Sequence, residues 1–172
     1  QWPSEPTMSY CGMVRGDAPK AVLVELLKDE QPAIRAAAVQ ALGDLGDGRM
    51  AVAVGAMLKD PAVIVRAGAA EALGKLRSPS SVQPLADALS ARDNFYRGSS
   101  LWVRRHYVDS LGNIGSKEAV PTLLRCIDDS DESVRLASVK ALETVAGFSY
   151  ADGRDPDQQR EAWRRWAQSQ LR

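Results

Sequence analysis

Apolar residues recur at helical spacing in four stretches of the chain. In each stretch they fall at positions i, i+4, i+7, i+8 and i+11, which lie on one face of an α-helix. No stretch shows the alternation of apolar and polar residues that predicts a strand, so the pattern predicts an all-α protein. The residues expected to be buried are Ile34, Ala38, Ala41, Leu42 and Leu45; Val65, Ala69, Ala72, Leu73 and Leu76; Val103, Tyr107, Leu111 and Ile114; and Val134, Ala141, Leu142 and Val145.

The four stretches are copies of one repeat. Each contains an apolar–Arg pair, and successive pairs follow at intervals of 31, 38 and 31 residues. A shorter apolar segment precedes each pair, so each repeat is predicted to form two helices, over 17–47, 48–77, 78–115 and 116–147. Self-similarity at this period is typical of solenoids. The pairs are Ile34-Arg35, Val65-Arg66, Val103-Arg104 and Val134-Arg135, and the endings are Ala41-Leu42-Gly43, Ala72-Leu73-Gly74, Ser110-Leu111-Gly112 and Ala141-Leu142-Glu143.

An aspartate stands five residues before three of the pairs, at Asp29, Asp60 and Asp129. We expect the arginines and aspartates to form a ladder that ties successive repeats together, with an aspartate for each arginine in its own repeat. This pairing disfavours a row of phosphate-binding arginines. The third repeat lacks the aspartate because seven extra residues fall in its loop, so the partner of Arg104 stays open.

The pattern Asp-(x)4-[Val/Ile]-Arg-(x)2-Ala-(x)3-Leu-Gly resembles the short bacterial HEAT-like repeat of the phycobilisome-lyase family, over residues 17–147. The resemblance implies a right-handed α-solenoid of about four helical hairpins, with inner helices on the concave side. It implies a bacterial binding scaffold more often than an enzyme, because one fold hosts many functions.

The two ends of the array are expected to be capped. Residues 148–172 resemble the aromatic closing segment of bacterial HEAT-repeat proteins, in which a C-terminal helix would shield the last repeat. Asp155 before Pro156 is interpreted as the N-cap of that helix; a calcium loop built on Asp152, Asp155 and Asp157 has the wrong spacing. Residues 1–16 are expected to be irregular. The aromatic residues of the C-terminal cap are Phe148, Tyr150, Trp163 and Trp166.

Composition excludes several classes of function. Lys plus Arg and Asp plus Glu both number 22, so the chain lacks the cationic excess of a nucleic-acid binder. No apolar run approaches the roughly 20 residues of a membrane helix. Two cysteines and a single histidine leave no disulfide framework, no metal site, no di-iron hydroxylase and no expected cofactor. The chain opens on Gln1, as a fragment or processed form would, so both the bacterial cytoplasm and export stay open.

The register of the inner helices assigns a second set of positions to the concave side. These positions are small in the first repeat, whereas the third carries Trp and Arg, the residues that most often anchor protein interfaces. Trp102 could alternatively pack under the loop 91–100, whose Phe95 and Tyr96 could form a groove wall, tuck against the solenoid, or both. The candidate partner-binding residues are Ile64, Glu71, Trp102, Arg105, His106, Asp109 and Lys140.

These residues predict a monomeric, non-enzymatic protein that binds a protein or peptide in its concave groove. A bilin lyase or isomerase subunit is the first alternative, and it rests on the family resemblance alone. A HEAT-like DNA glycosylase is the second, although the acidic and basic residues of the groove are balanced. A hydrolase with His106, Asp109 and a loop serine, Ser99 or Ser100, is disfavoured because polar pairs three residues apart are common on helices.

Overall fold

The computed structural model describes residues 17–150 and 153–170, which form helical pairs stacked in chain order. The expected N-terminal cap, residues 1–16, lies outside the described residues. Each pair joins an outer helix to an inner helix, and each inner helix packs against the next. The outer helices are α1 (Asp17–Leu26), α3 (Ala51–Ala56), α5 (Val82–Ser90) and α7 (Val120–Cys126); the inner helices are α2 (Pro32–Asp44), α4 (Val63–Leu76), α6 (Val103–Ile114) and α8 (Glu132–Ala146); α9 (Pro156–Gln170) follows.

The helices enclose one continuous apolar core, and the expected all-α repeat fold is confirmed. The prediction for Leu45 is wrong, because this side chain is 42% exposed. Helix α2 ends at Asp44 and the chain turns at Gly46, where φ is +67°. Its counterpart Leu76 is the last residue of α4 and is buried. The earlier end of α2 therefore explains why Leu45 is exposed and Leu76 is not.

Neighbouring inner helices approach so closely that a side chain is excluded from one of them. A Cβ added to Gly43 would lie 2.7 Å from the Cβ of Ala72, and one added to Gly112 would lie 2.9 Å from the Cβ of Ala141. Gly74 meets Ser110 in the same way, at 3.2 Å from its Oγ. The small–Leu–Gly endings therefore form the contact itself, in which the glycine of one repeat faces the small residue of the next.

Arginines bind across the same interfaces. Arg35 donates from Nε and Nη2 to the two carboxylate oxygens of Asp60 at 2.7 and 2.9 Å. Arg104 donates from Nη1 and Nη2 to Asp129 at 3.0 and 2.6 Å. Such two-point pairs of guanidinium and carboxylate are among the strongest polar contacts in proteins.

The expected pairing within a repeat is therefore wrong, since the carboxylate comes from the next repeat. The repeat's own aspartate contributes its main-chain carbonyl, as Asp29 does for Arg35. Arg66 has no carboxylate at this position and donates instead to the amide oxygen of Asn94, at 3.0 Å. The partner of Arg104, left open by the sequence, is Asp129.

The last helix closes the outer layer beyond α7. Asp155 accepts a hydrogen bond from the N–H of Gln158 at 2.9 Å, and Gln158 Oε1 accepts the N–H of Asp155, so the two residues form a capping box that confirms the expected N-cap. Trp163 is fully buried and stacks on Phe148, with ring centroids 5.4 Å apart. Tyr150 and Trp166 meet Trp163 edge-on, so all four aromatic residues of the predicted cap form one cluster.

Replacing Gly43 with Ala should destabilise the protein by about 1–3 kcal/mol, because the new methyl group overlaps Ala72 in a packed interface. Gly55 in α3 is the matched control, since a Cβ there meets no atom within 4 Å. Gly55→Ala should stabilise the protein by about 0.5–1 kcal/mol, as the better helix former. Urea unfolding of both variants measures the two effects; equal effects would contradict the proposed helix contact.

A second prediction concerns the stability of the protein at acidic pH. Burial opposes ionisation of Asp60, but hydrogen bonds from Arg35 and from the N–H of Ala62 outweigh it, so the pKa of Asp60 lies below its ordinary value. A lowered folded-state pKa adds stability that is present above the unfolded pKa, about 4, and is lost as pH falls below it. Thermal unfolding between about pH 5 and pH 2 should therefore depend less on pH in Asp60→Asn than in the wild type. Asp93→Asn, at an exposed carboxylate, should keep the wild-type dependence.

Candidate partner-binding groove

The inner helices leave one face uncovered, which we call the inner face. Over the first two repeats it forms a shallow apolar hollow of about 430 Å³. Its floor consists of residues with little or no side chain, because alanines and Gly68 occupy the positions after each ladder arginine. The hollow is lined by Ala33, Ala36, Ala37, Gln40, Ile64, Ala67, Gly68, Glu71, Ala72, Lys75 and Trp102.

A second hollow, of about 260 Å³, continues along the inner face between α6 and α8. Its lining is more polar than that of the first hollow. It contains three of the candidate residues, Arg105, Asp109 and Lys140, together with Asn113 and Thr144.

Trp102, His106 and Glu71 form a bridge between α4 and α6. Trp102 precedes the first turn of α6 and is 53% exposed. Its ring lies edge-on to that of His106, with centroids 5.2 Å apart. His106 Nδ1 lies 3.0 Å from Glu71 Oε1 of the preceding repeat. The bridge holds a large aromatic surface in place while much of it faces solvent.

The charged residues of the inner face are largely paired. Lys75 bonds Asp44 of the preceding repeat at 2.5 Å, and Arg105 lies 3.4 Å from Asp109 one turn away. In the described part of the chain, the ammonium group of Lys140 has no ion pair. The inner face therefore offers an apolar anchor and one uncommitted cation rather than a field of one sign.

The extra residues of the third repeat form a short β-hairpin, which the sequence did not predict. Strands β1 (Phe95–Tyr96) and β2 (Ser99–Ser100) pair in antiparallel register. Arg97 and Gly98 join them with positive φ values of 50° and 81°. Two turn residues of this kind suit the right-handed twist of a hairpin.

The two aromatic residues of the hairpin lie in different environments. Phe95 packs under the ladder, with the guanidinium carbon of Arg104 4.5 Å from its ring centre. Tyr96 is 64% exposed and contacts Arg97 of the turn. The two alternatives for the insertion thus apply to different residues: Phe95 tucks against the solenoid, and Tyr96 stays available to a partner.

All seven candidate residues lie on the inner face, and their role in binding stays a prediction. Ile64, Glu71 and Trp102 line the first hollow; Arg105, Asp109 and Lys140 line the second; and His106 stands in the bridge.

The sequence missed a larger cleft of about 760 Å³ between α3 and α5 on the outer side. The run of small residues in α3, with Val52 81% exposed, is the sequence signal of that cleft.

The described residues give little support to a catalytic centre. His106 contacts Glu71, whereas Asp109 is paired with Arg105, so the pair considered for a hydrolase is not formed. Burial raises the pKa of the Cys126 thiol within the core. Among residues 17–150 and 153–170, no three metal-binding side chains cluster to hold an ion; Asp152 of the considered calcium loop lies outside these ranges. None of the described helices combines the length and apolar character needed to cross a membrane.

Comparison with known proteins identifies the repeat. A family model described as HEAT repeats matches residues 20–103 and 94–158, which is most of the chain. The chain is a HEAT-repeat protein. No curated protein sequence matches it.

Solved structures place this HEAT-repeat protein among known solenoids. The complex of CpcE and CpcF of phycocyanin lyase from Nostoc sp. PCC7120 matches with a TM-score of 0.66 and 23% identity, over 78% of this chain and 55% of that one. Human deoxyhypusine hydroxylase in complex with glycerol matches with a TM-score of 0.64 and 27% identity, over 74% and 43%. A designed armadillo repeat protein for modular peptide recognition reaches 0.49 and 20%, over 82% and 68%. The chain spans about half the length of the first two structures.

The environments of Trp102 and Trp163 predict stability losses of different size on truncation to Ala. Trp102→Ala should change the free energy of unfolding by about 1 kcal/mol or less, since the ring is half exposed and outside the core. Trp163→Ala should cost about 3–5 kcal/mol, because it empties a buried site in the cap. Denaturant unfolding of both variants tests the assignment. A large loss of stability in Trp102→Ala would place Trp102 in the structural core and remove it from the candidate site.

Proposed function

We propose that this HEAT-repeat scaffold is non-enzymatic and binds a protein or peptide along its inner face. One observation carries the proposal: Trp102 borders the apolar hollow, lies edge-on to His106 and is still 53% exposed. An exposed aromatic side chain that is already held in position loses little conformational freedom on binding, which favours its use as an anchor.

The hollows suggest how a partner would lie. The alanine floor of repeats one and two accepts an apolar side chain between Ile64 and Trp102, and the mainly apolar lining limits the polar surface that has to be desolvated. The second hollow accepts polar groups, with Lys140 as its free cation. A segment that runs across the helices would contact both hollows, with Tyr96 of the hairpin at the edge.

Photo-crosslinking tests which face is used. A benzophenone amino acid is placed at position 64 or 102 on the inner face and at position 52 on α3 as the outer-face control. The proposal expects one and the same partner protein to be captured from positions 64 and 102 in native extract, with none at position 52. Capture from position 52 alone would assign binding to the outer side.

Once the partner is in hand, Trp102→Ala should weaken its binding by about 2 kcal/mol, or about 30-fold in Kd, as loss of an anchor does. Val52→Ala, at a still more exposed apolar position on the outer side, should leave Kd unchanged. Calorimetric titration of the purified pair gives both values. Unaltered binding in Trp102→Ala would remove the inner face as the contact surface.

Of the two alternatives, the first has a direct test and the second is disfavoured by the charges of the inner face. The bilin hypothesis predicts an absorbance change when phycocyanobilin is mixed with the protein, whereas a scaffold without bilin chemistry leaves the spectrum unaltered. The nucleic-acid hypothesis needs phosphate contacts, which a face with paired charges does not offer.

A further inference from the structure

Three ladder arginines are held by the same anchor. In each, Nη1 donates to two successive main-chain carbonyls in the loop before the inner helix. Arg35 does so to Asp29 and Glu30 at 2.7 and 3.1 Å, and Arg135 to Asp129 and Ser130 at 2.8 and 3.1 Å. Arg66 repeats the arrangement at 2.7 and 3.0 Å. The anchor orients the guanidinium group whether or not a following repeat contacts it.

The other edge of the guanidinium group, Nε and Nη2, is what reaches across to the next repeat; we call it the fork. The fork of Arg35 binds the Asp60 carboxylate, and the fork of Arg66 binds the Asn94 side chain and the Asp93 carbonyl. The fork of Arg135 has no hydrogen-bond acceptor within the described ranges. It is therefore a copy of the Arg35 site in which the carboxylate is missing.

The space beyond Arg135 is open. Helix α9 packs against the outer helix α7, so within residues 17–150 and 153–170 no helix fills the inner-layer position beside α8. A cleft of about 490 Å³ lies there, lined by Ile127, Glu132, Arg135, Leu136, Val139, Lys140, Glu143, Pro156, Gln159 and Arg160. Leu136, next to the fork, is 65% exposed. Arg160 is already paired with Asp128 and Asp157, so Arg135 and Lys140 are the cations that the cleft offers to a ligand.

The occupant is not a further inner helix. Where the earlier repeats have glycine facing a neighbour, α8 has Glu143, whose side chain blocks the close helix contact seen at Gly43 and Gly112. An acidic loop needs no such contact. Asp60 reaches Arg35 from the loop Lys59-Asp60-Pro61, and Asp129 reaches Arg104 from the loop after α7.

We propose that the cleft between α8 and α9 is a docking site for an aspartate-bearing loop of a partner protein. The aspartate carboxylate binds the Arg135 fork through both oxygens, as Asp60 binds Arg35, and a neighbouring apolar residue covers Leu136 and Val139. The site is separate from Trp102 and does not depend on a partner in the hollows, although Lys140 borders both places.

The test uses a peptide copied from the chain's own acceptor loop. Acetylated and amidated Leu-Lys-Asp-Pro-Ala, which reproduces residues 58–62, is titrated into ¹⁵N-labelled protein. The proposal expects saturable shifts of the Arg135 Nε–H signal, assigned with Arg135→Lys, and of the Leu136 and Val139 amides. The peptide with Asn in place of Asp should bind about tenfold more weakly, because it lacks the charge-assisted pair.

Two variants complete the design. Arg135→Lys should lose the peptide while keeping the fold, measured by circular dichroism, since it alters only the bonds to the carbonyls of Asp129 and Ser130 and removes no inter-repeat contact. Arg125→Lys, on the neighbouring helix α7, should bind as the wild type does. Shifts around Trp102 instead of Arg135 would overturn the proposal.

Equal binding of the Asp and Asn peptides would also overturn it. Saturation of the same signals by sodium acetate alone, with nothing gained from the peptide, would assign the fork to free carboxylic acids and not to a protein loop. Markedly tighter peptide binding in Asp152→Asn, at a residue outside the described ranges, would show that the chain's own carboxylate fills the fork, again against the proposal.

Discussion

The closest contact between neighbouring inner helices, at the Leu-Gly endings, sets the geometry of the whole array. At Gly43 and Gly112 no room exists for a side chain, so each inner helix is fixed against the next at near-backbone distance. That spacing brings the arginine of one repeat within two-point reach of the carboxylate in the next. It also aligns the solvent-facing positions of the four inner helices into one continuous face. Packing, ladder and candidate groove thus follow from one steric constraint.

The third repeat shows how the ladder tolerates an insertion. The seven extra residues remove the usual aspartate, and the protein supplies Asn94 in its place, whose oxygen accepts hydrogen bonds from Arg66 and from Tyr107. The hairpin then packs Phe95 on Arg104 and leaves Tyr96 in solvent. The insertion therefore both completes the ladder and adds an exposed aromatic residue, Tyr96.

The sequence was sufficient for the helical repeat and insufficient for the contacts that depend on how the repeats pack. Helical periodicity placed the listed inner-helix residues correctly on the buried or half-buried side, because the face of a helix depends on spacing; Leu45 is the exception because its helix ends one residue earlier. The ladder partners could not be predicted, since an aspartate six residues before an arginine can bind the arginine of its own repeat or that of the preceding one. The hairpin and the outer cleft arise from unique tertiary contacts. The binding role of the inner face stays a prediction.

The ladder has a direction, and its two ends are chemically different. Among the described residues, the carboxylate of Asp29 accepts the N–H of Gln31 but no hydrogen bond from an arginine, while Arg135 has a fork without a carboxylate. Complementary ends of this kind would let solenoids stack head to tail into open filaments. Glu143 and α9 oppose such stacking, because the first blocks the glycine contact and the second occupies the outer layer. The end of the ladder at Arg135 therefore has room for a loop but not for a helix. The unpaired fork of Arg135 selects a loop that carries a carboxylate.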